Sequence, residues 1–240
     1  MQSKLEGKTA LVTGATSNIG RAIAIALGES GARVAVSGRN RERGEEVAQL
    51  AGGVFLQADL DGSPEASRRL ADAANEALGQ VDILVNNAGL YREAMVPVTG
   101  EIFDLLYGVN VKAPFFLVEA LAPQMAGRGD GAIINLGSWG ARLGIPSPLY
   151  SSTKGALETL TRAWSAQYGA RGVRVNAISP GVVQAEGHAA AVMMKGTPAG
   201  AMGSPKAIAE AAVYLASADF VHGITLDVDG GRTTVAVIAT

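Results

Sequence analysis

Apolar positions along the chain follow two alternating rhythms. Short runs rich in Val, Ile, Leu and Ala occupy 9–13, 33–37, 54–57, 81–85, 132–136, 173–178 and 224–228, each of a length suited to a strand. Between them lie longer, Ala-rich stretches of helical spacing at 19–30, 42–51, 64–78, 101–125, 150–168 and 205–216, several opening after a Ser, Asp or Gly in capping position. Strands alternating with helices predict an α/β chain with a doubly wound, seven-stranded parallel sheet and helices on both faces. No Pro/Ser-rich linker, charge block or fixed-period repeat divides the 240 residues, which are read as one domain, 1–240. The least regular stretch, 184–204, is rich in Ala, Gly and Met and stands between the sixth strand and the last helix, where a long loop predicts a substrate lid.

Composition narrows the function. A formal net charge of -2 supplies no basic field to draw the chain toward nucleic acid or an anionic membrane. There is no cysteine, and the two histidines, His188 and His222, lie far apart, so neither a disulfide framework nor a metal centre is expected. The start, Met1 to Glu6, lacks the apolar core of a signal peptide, and no later stretch offers about eighteen uninterrupted apolar residues. The expectation is a cytoplasmic protein whose partner is a small molecule.

The first chemical signal is Thr13-Gly14-Ala15-Thr16-Ser17-Asn18-Ile19-Gly20, at the handover from the first strand to the first helix. Small residues let backbone approach a pyrophosphate, and the helix N-terminus adds free N–H groups and positive dipole, so the turn fits a Rossmann-type dinucleotide site. A Gly-rich turn that only joins strand to helix is the plainer reading of the motif alone. The second strand ends in Ser37-Gly38-Arg39-Asn40, with no carboxylate at its tip. An acidic residue there would bind both ribose hydroxyls and repel a 2′-phosphate, whereas the Arg39 fork suits phosphate, which favours NADP(H) over NAD(H). The alternative is that Arg39 is one more solvated base in the run Arg39, Arg41, Arg43.

The second signal is Tyr150-Ser151-Ser152-Thr153-Lys154, at the head of a helical segment whose Leu157, Leu160 and Trp164 mark its buried side. Four residues apart, phenol and ammonium share one face. A cation within about 5 Å favours phenolate, so Lys154 is expected to make Tyr150 a usable acid and base, unless the two are an ordinary surface pair. Ser138 follows the strand Ile133-Ile134-Asn135-Leu136, at the carboxyl end where doubly wound sheets place ligands, and its hydroxyl suits polarising the same carbonyl.

These residues resemble the short-chain dehydrogenase/reductase family, with further motifs in the family's order: Asp59-Leu60, Asn86-Asn87-Ala88-Gly89, Asn110, Pro180-Gly181 and Asp229-Gly230-Gly231. The resemblance spans essentially the whole chain and implies a ketoreductase or 3-oxoacyl-reductase-like oxidoreductase moving hydride between NADP(H) and a ketone or secondary alcohol. By the same resemblance Tyr150 is the acid/base, Lys154 its partner and a nicotinamide-ribose ligand, Ser138 the carbonyl orienter, and Asn110 the holder of a water in the proton path. Gly14, Ser17, Asn18, Ile19 and Gly20 resemble the pyrophosphate turn, with Ser37 and Arg39 beside the adenosine ribose. Asp59 and Leu60 resemble the adenine contacts, Asn87, Ala88 and Gly89 the adjoining wall, and Pro180, Gly181 and Val183 the nicotinamide segment. A homotetramer or homodimer is implied, assembled in the tetramer through 101–125 and 150–168. Asn110 also reads as a buried amide at a helix kink, Asp59 as a turn cap, and Asn87 as a support of the sheet. Trp139 and Met193-Met194 read as packing, and His188 as an isolated residue of the lid.

Three positions depart from the family pattern. Asn18 replaces the middle glycine of the turn, and Asn is the residue besides Gly that best tolerates a left-handed backbone. Ser17 stands where many NADP-preferring members carry a base, and Ala185 where a Thr often bonds the cofactor. Substrate shape is assigned to 184–204 and 91–97, and the apolar lid favours a hydrophobic ketone or 3-oxoacyl compound. An NAD-dependent alcohol dehydrogenase of the same family is the alternative within it, and a noncatalytic NADP(H)-binding redox-sensing protein and an epimerase are the rival classes; the complete Ser138, Tyr150, Lys154 and Asn110 set opposes the noncatalytic protein, and the lack of an added lobe the epimerase.

Overall fold

The computed structural model describes residues 4–91, 97–183 and 197–235. Seven parallel strands, β1 (Thr9–Val12), β2 (Arg33–Gly38), β3 (Val54–Gln57), β4 (Ile83–Asn86), β5 (Gly131–Leu136), β6 (Val173–Pro180) and β7 (Thr225–Val228), form one sheet in the order β3-β2-β1-β4-β5-β6-β7. The chain winds outward from β1 through β2 to β3, then crosses to β4 on the other side of β1. The gap between the ends of β1 and β4 is therefore the switch point at which such sheets leave a crevice.

Period-two side chains feed two cores. Ala10, Val12, Val34, Val36, Ile83, Val85, Ile134 and Leu136 pack on one face beneath helices α1 (Asn18–Glu29), α2 (Arg41–Leu50) and α7 (Pro205–Ser217). Leu11, Ala35, Leu84 and Ile133 point the other way, to α3 (Pro64–Leu78), α5 (Ala113–Arg128) and α6 (Pro148–Tyr168). Residues such as Leu11, Ile83, Leu84 and Ile133 are almost wholly buried, each contributing about 1.5–3 kcal/mol of apolar transfer. Asn40, Ser63 and Ser204 cap α2, α3 and α7 by accepting from the backbone N–H three residues on.

The predicted helix over 101–125 is two helices joined by a wider turn: α4 (Gly100–Tyr107), a π-helical segment Gly108–Lys112, and α5. Pro114 explains the break, because it has no N–H to donate to the Asn110 carbonyl and its ring crowds the preceding turn. By length and composition 100–128 is apolar enough to cross a membrane. Here Leu117, Val118, Leu121 and Met125 are packed in the core against α3 and the sheet.

Candidate active site

A cleft of about 570 Å3 opens at the carboxyl ends of β1 and β4. Its floor is set by Thr13, whose hydroxyl donates to the Val85 carbonyl (3.2 Å) and accepts from the N–H groups of Asn87 (3.1 Å) and Ala88 (3.0 Å). The Asn87 amide donates to the carbonyls of Thr13 (2.9 Å) and Gly14 (3.0 Å), so it holds the turn to β4. A Cβ on Gly14, at φ +62°, would lie 2.7 Å from the Ala88 Cα, and one on Gly20 would lie 2.4 Å from both the Asn87 amide nitrogen and the Gly14 carbonyl. The Gly14 turn meets the Ala88 backbone and the first turn of α1 meets the Asn87 amide, so neither glycine leaves room for a side chain. Asn18 has φ 46°, the one positive φ of a non-glycine among the described residues, and so does the work of the missing glycine. Ser17 starts α1 without a side-chain cap, and no acidic residue occupies the first turn. The first N–H groups of α1 thus have no side-chain acceptor beside a cleft lined by Ser17, Asn18 and Ile19, which fits a pyrophosphate.

Ser37, Arg39, Asp59, Leu60, Ala88 and Gly89 line the same cleft, whereas Gly20 supports it from beneath. Sequence reasoning missed Arg43 and Thr16. Arg41 turns away to Glu45 (3.2 Å) and Gln57 (3.0 Å), while Arg43, on the N-terminal turn that Asn40 caps, lines the cleft with Arg39. Helical phase from Asn40 was the signal that separates them. Thr16 fills the space over Gly38, where a Cβ would lie 2.6 Å from its methyl.

Across the cleft, β5 meets α6. The Lys154 ammonium is buried and donates to the Leu136 carbonyl (2.7 Å); burial pulls its pKa down to about 8. It lies 5.8 Å from the centre of the Tyr150 ring, and the Tyr91 ring meets Tyr150 edge-on at 5.1 Å. Burial raises the Tyr150 phenol above its ordinary value, and the hydrogen-bonded Ser138 hydroxyl pulls the other way. The net direction is upward and not the lowering expected from Lys154, because burial is the largest of the causes. Lys154 does border the cleft: a Cβ on Gly89 would lie 3.5 Å from its Nζ.

Asn110 is in the π-helical segment and almost wholly buried. Its amide oxygen accepts from the Leu90 N–H (2.7 Å), and its nitrogen donates to the Leu90 carbonyl (2.9 Å) and the Thr153 hydroxyl (3.0 Å). The side chain is a tie between the cleft wall and α6, and none of these three bonds goes to the backbone of the kink. A second tie was missed: the Asn86 amide donates to Asn135 (2.9 Å), and Asn135 to Thr161 (2.9 Å), linking β4, β5 and α6 beneath the site. Both asparagines stand inside apolar strands, and that was the available signal. Pro180 ends β6, the Gly181 N–H donates to the Val228 carbonyl (3.0 Å), and Val183 bridges to Gly203; these three are not in the cleft lining. Trp139 is buried with the Arg232 guanidinium 4.2 Å over its ring. Residues 92–96 and 184–196, with Ala185, His188 and Met193-Met194, lie outside the described residues.

A switch-point cleft at the start of α1, beside a half-buried phenol and a buried ammonium and hydroxyl, fits a dinucleotide-binding oxidoreductase. Residues 14–233 match the family model described as Enoyl-(Acyl carrier protein) reductase. D-threitol dehydrogenase of Mycolicibacterium smegmatis is 38% identical over 245 residues, 96% of this chain and 94% of that protein. A solved short chain dehydrogenase/reductase family protein has a TM-score of 0.88 at 43% identity, covering 97% of this chain and all of that one. A blue fluorescent protein from a metagenomic library, solved in complex with NADPH, has a TM-score of 0.90 at 31% identity, covering 96% and 100%. The chain belongs to the short-chain dehydrogenase/reductase family, oxidoreductases that act on alcohols and ketones with a nicotinamide dinucleotide.

Proposed function

We propose that this protein is an NADP(H)-dependent reductase of a hydrophobic ketone or 3-oxoacyl compound, with Tyr150 as its proton donor. The observation that carries the reading is the convergence of Tyr150, Lys154 and Ser138 beside the cleft. When bound, the dinucleotide supplies the hydride that adds to the carbonyl carbon. The Tyr150 hydroxyl donates its proton to the carbonyl oxygen, and the Ser138 hydroxyl donates a hydrogen bond to the same oxygen. Charge developing on Tyr150 is met by the Lys154 ammonium from one helical turn away. Lys154, protonated below about pH 8, also faces the Gly89 side of the cleft, where the nicotinamide ribose would lie. The Asn110 carbonyl, which Pro114 cannot serve, suits a water that returns protons from solvent.

Arg39 and Arg43, with no carboxylate at the tip of β2, favour a 2′-phosphate, and the NADPH-bound structural neighbour is consistent with that choice. Gly14, Ser17, Asn18 and Ile19 would hold the pyrophosphate, and Pro180, Gly181 and Val183 the nicotinamide side. The family model's acyl-carrier description and the apolar sequence of 184–204 favour an apolar or acyl substrate. The D-threitol dehydrogenase relative favours a second reading, NAD-dependent oxidation of a polyol. Exposed Phe103 on α4 suits a homotetramer built on the 101–125 and 150–168 helices.

Consumption of NADPH and of NADH, followed with hydrophobic ketones and acetoacetyl thioesters and in reverse with D-threitol, separates the readings. Ketone or thioester reduction driven by NADPH is expected. Turnover confined to polyols with NAD+ would overturn the proposal in favour of its alternative.

A further inference from the structure

Three consecutive residues at the end of β5 lie along one stripe of α6. Tyr150, Lys154 and Glu158 follow one another at four-residue intervals and share a helix face. The Leu136 carbonyl accepts from Lys154 (2.7 Å), a Cβ on Gly137 would lie 3.7 Å from Glu158 Oε1, and the Ser138 hydroxyl is hydrogen-bonded to Tyr150. Ser138 then caps a single 3₁₀ turn, Trp139–Ala141, and Arg142 ends it. The Arg142 guanidinium reaches back from there. Its Nη1 lies 2.6 Å from Asp227 Oδ2 on β7, and its Nε 3.6 Å from Glu158 Oε1. The Glu158 side chain is 10% exposed, and its Oε1 accepts no hydrogen bond among the described residues.

We propose that Arg142 is a positioning residue: clamped between Glu158 and Asp227, it pins the turn carrying Ser138 onto the face of α6 that carries Tyr150. This rests on the reading of Tyr150 as proton donor. A partly buried carboxylate aligned with Tyr150 and Lys154 contributes little stability after desolvation. What it does supply is a fixed point for a turn otherwise tied to α6 by single hydrogen bonds. Arg142 joins the β5 turn, α6 and β7 through one planar group, and the reacting hydroxyls of Ser138 and Tyr150 sit on two of those three parts.

The groups facing the Tyr150 ring are Ser138, Tyr91 and Lys154, and Ser138 alone lowers its titration there by hydrogen bonding. The test is the titration of Tyr150, read as near-ultraviolet tyrosinate absorbance of the whole protein and taken as the difference from a Tyr150→Phe partner of each variant. Ser138→Ala moves the midpoint up. Arg142→Met alone removes a cation and would raise the midpoint by Coulomb's law, so the charge-free variant Arg142→Met/Glu158→Gln/Asp227→Asn carries the test. It is expected to move the midpoint up, and Ser138→Ala added to it to move it no further than Ser138→Ala alone does, the non-additivity of residues acting through one contact. The clamp holds one cation against two carboxylates, so deleting all three charges lowers the phenol midpoint by Coulomb's law alone, and only displacement of Ser138 raises it. An upward shift supports the clamp. A midpoint at or below wild type, or shifts that simply add to that of Ser138→Ala, would overturn it. The titration needs no substrate, so a chain that reduced no ketone would leave its result standing.

Discussion

Where β1 hands over to α1 the cleft is built on close approach: Gly14 and Gly20 press against Ala88 and the Asn87 amide, and the contact leaves no space for a methyl group. Across from it the wall is side chain, a half-buried phenol and a buried ammonium held by one hydroxyl and one carbonyl. In the proposed function the first region recognises its ligand by shape, by helix N–H groups and by the Arg39 and Arg43 side chains. In the same proposal the second works by protonation states that burial has displaced. One therefore fails when volume is added, the other when a proton site is removed or retuned.

The largest expected effect is chemical. Tyr150→Phe should lower ketone reduction by about 1,000-fold, while dinucleotide affinity by fluorescence titration stays within about twofold. Retention of more than about a tenth of turnover would take proton transfer away from this residue. On the backbone side, Gly14→Ala and Gly52→Ala form a matched pair, because both sites have φ +62° but only Gly14 has neighbours within 4 Å. Gly52→Ala should lose about 1–2 kcal/mol in urea unfolding from the left-handed backbone. Gly14→Ala should lose that and about 1–3 kcal/mol more for displacing Ala88, with dinucleotide binding falling alongside. Equal losses at the two sites would show that close approach is not what the turn needs.

Lys154 offers a pH signature of the buried side. In the unfolded chain it holds its proton up to about 10.5, and in the folded chain only to about 8. The folded state thus binds this proton more weakly, so the residue's contribution to stability is poorest below pH 8 and recovers as pH rises to 10.5. The recovery amounts to about 3 kcal/mol. Denaturant midpoints across that window should show the rise in wild type and lose it in Lys154→Met. Reduction should decline as pH passes about 8, where the ammonium loses its proton. A smaller effect is expected at the rim: Arg39→Ser/Arg43→Ser should weaken NADPH binding by about 10–100-fold and leave NADH nearly unchanged, read by competitive titration. The smallest is Asn18→Gly, which should stabilise by less than about 1 kcal/mol because φ 46° suits glycine better, without altering binding.

Much of the architecture was legible because each strand is a short apolar run and each helix has a marked face. The seven strands appear within about two residues of expectation, and Pro64–Leu78 at the predicted limits. The helix over 101–125 was read as continuous because its apolar spacing runs through Pro114, and periodicity does not register a missing N–H. Gly14, Ser17, Asn18, Arg39, Asp59 and Gly89 do gather at one cleft. Arg43 went unrecognised because its neighbours Arg39 and Arg41 made it look like part of a solvated run. Arg142, Glu158 and Asp227 lie on separate elements, and no local pattern links them.

By itself, then, the order of residues determined which segments are strands and helices, where glycine or asparagine must turn the chain left-handed, and which chemistry-bearing side chains stand at strand ends. Those properties are local, set by periodicity and backbone sterics. Only the folded arrangement decided that the Lys154 ammonium faces the Leu136 carbonyl, that burial rather than a neighbouring cation dominates Tyr150, and that Asn110 spends its amide on Leu90 and Thr153. Proton affinities and hydrogen-bond partners depend on what surrounds a group in space, and residues distant in sequence supply those surroundings.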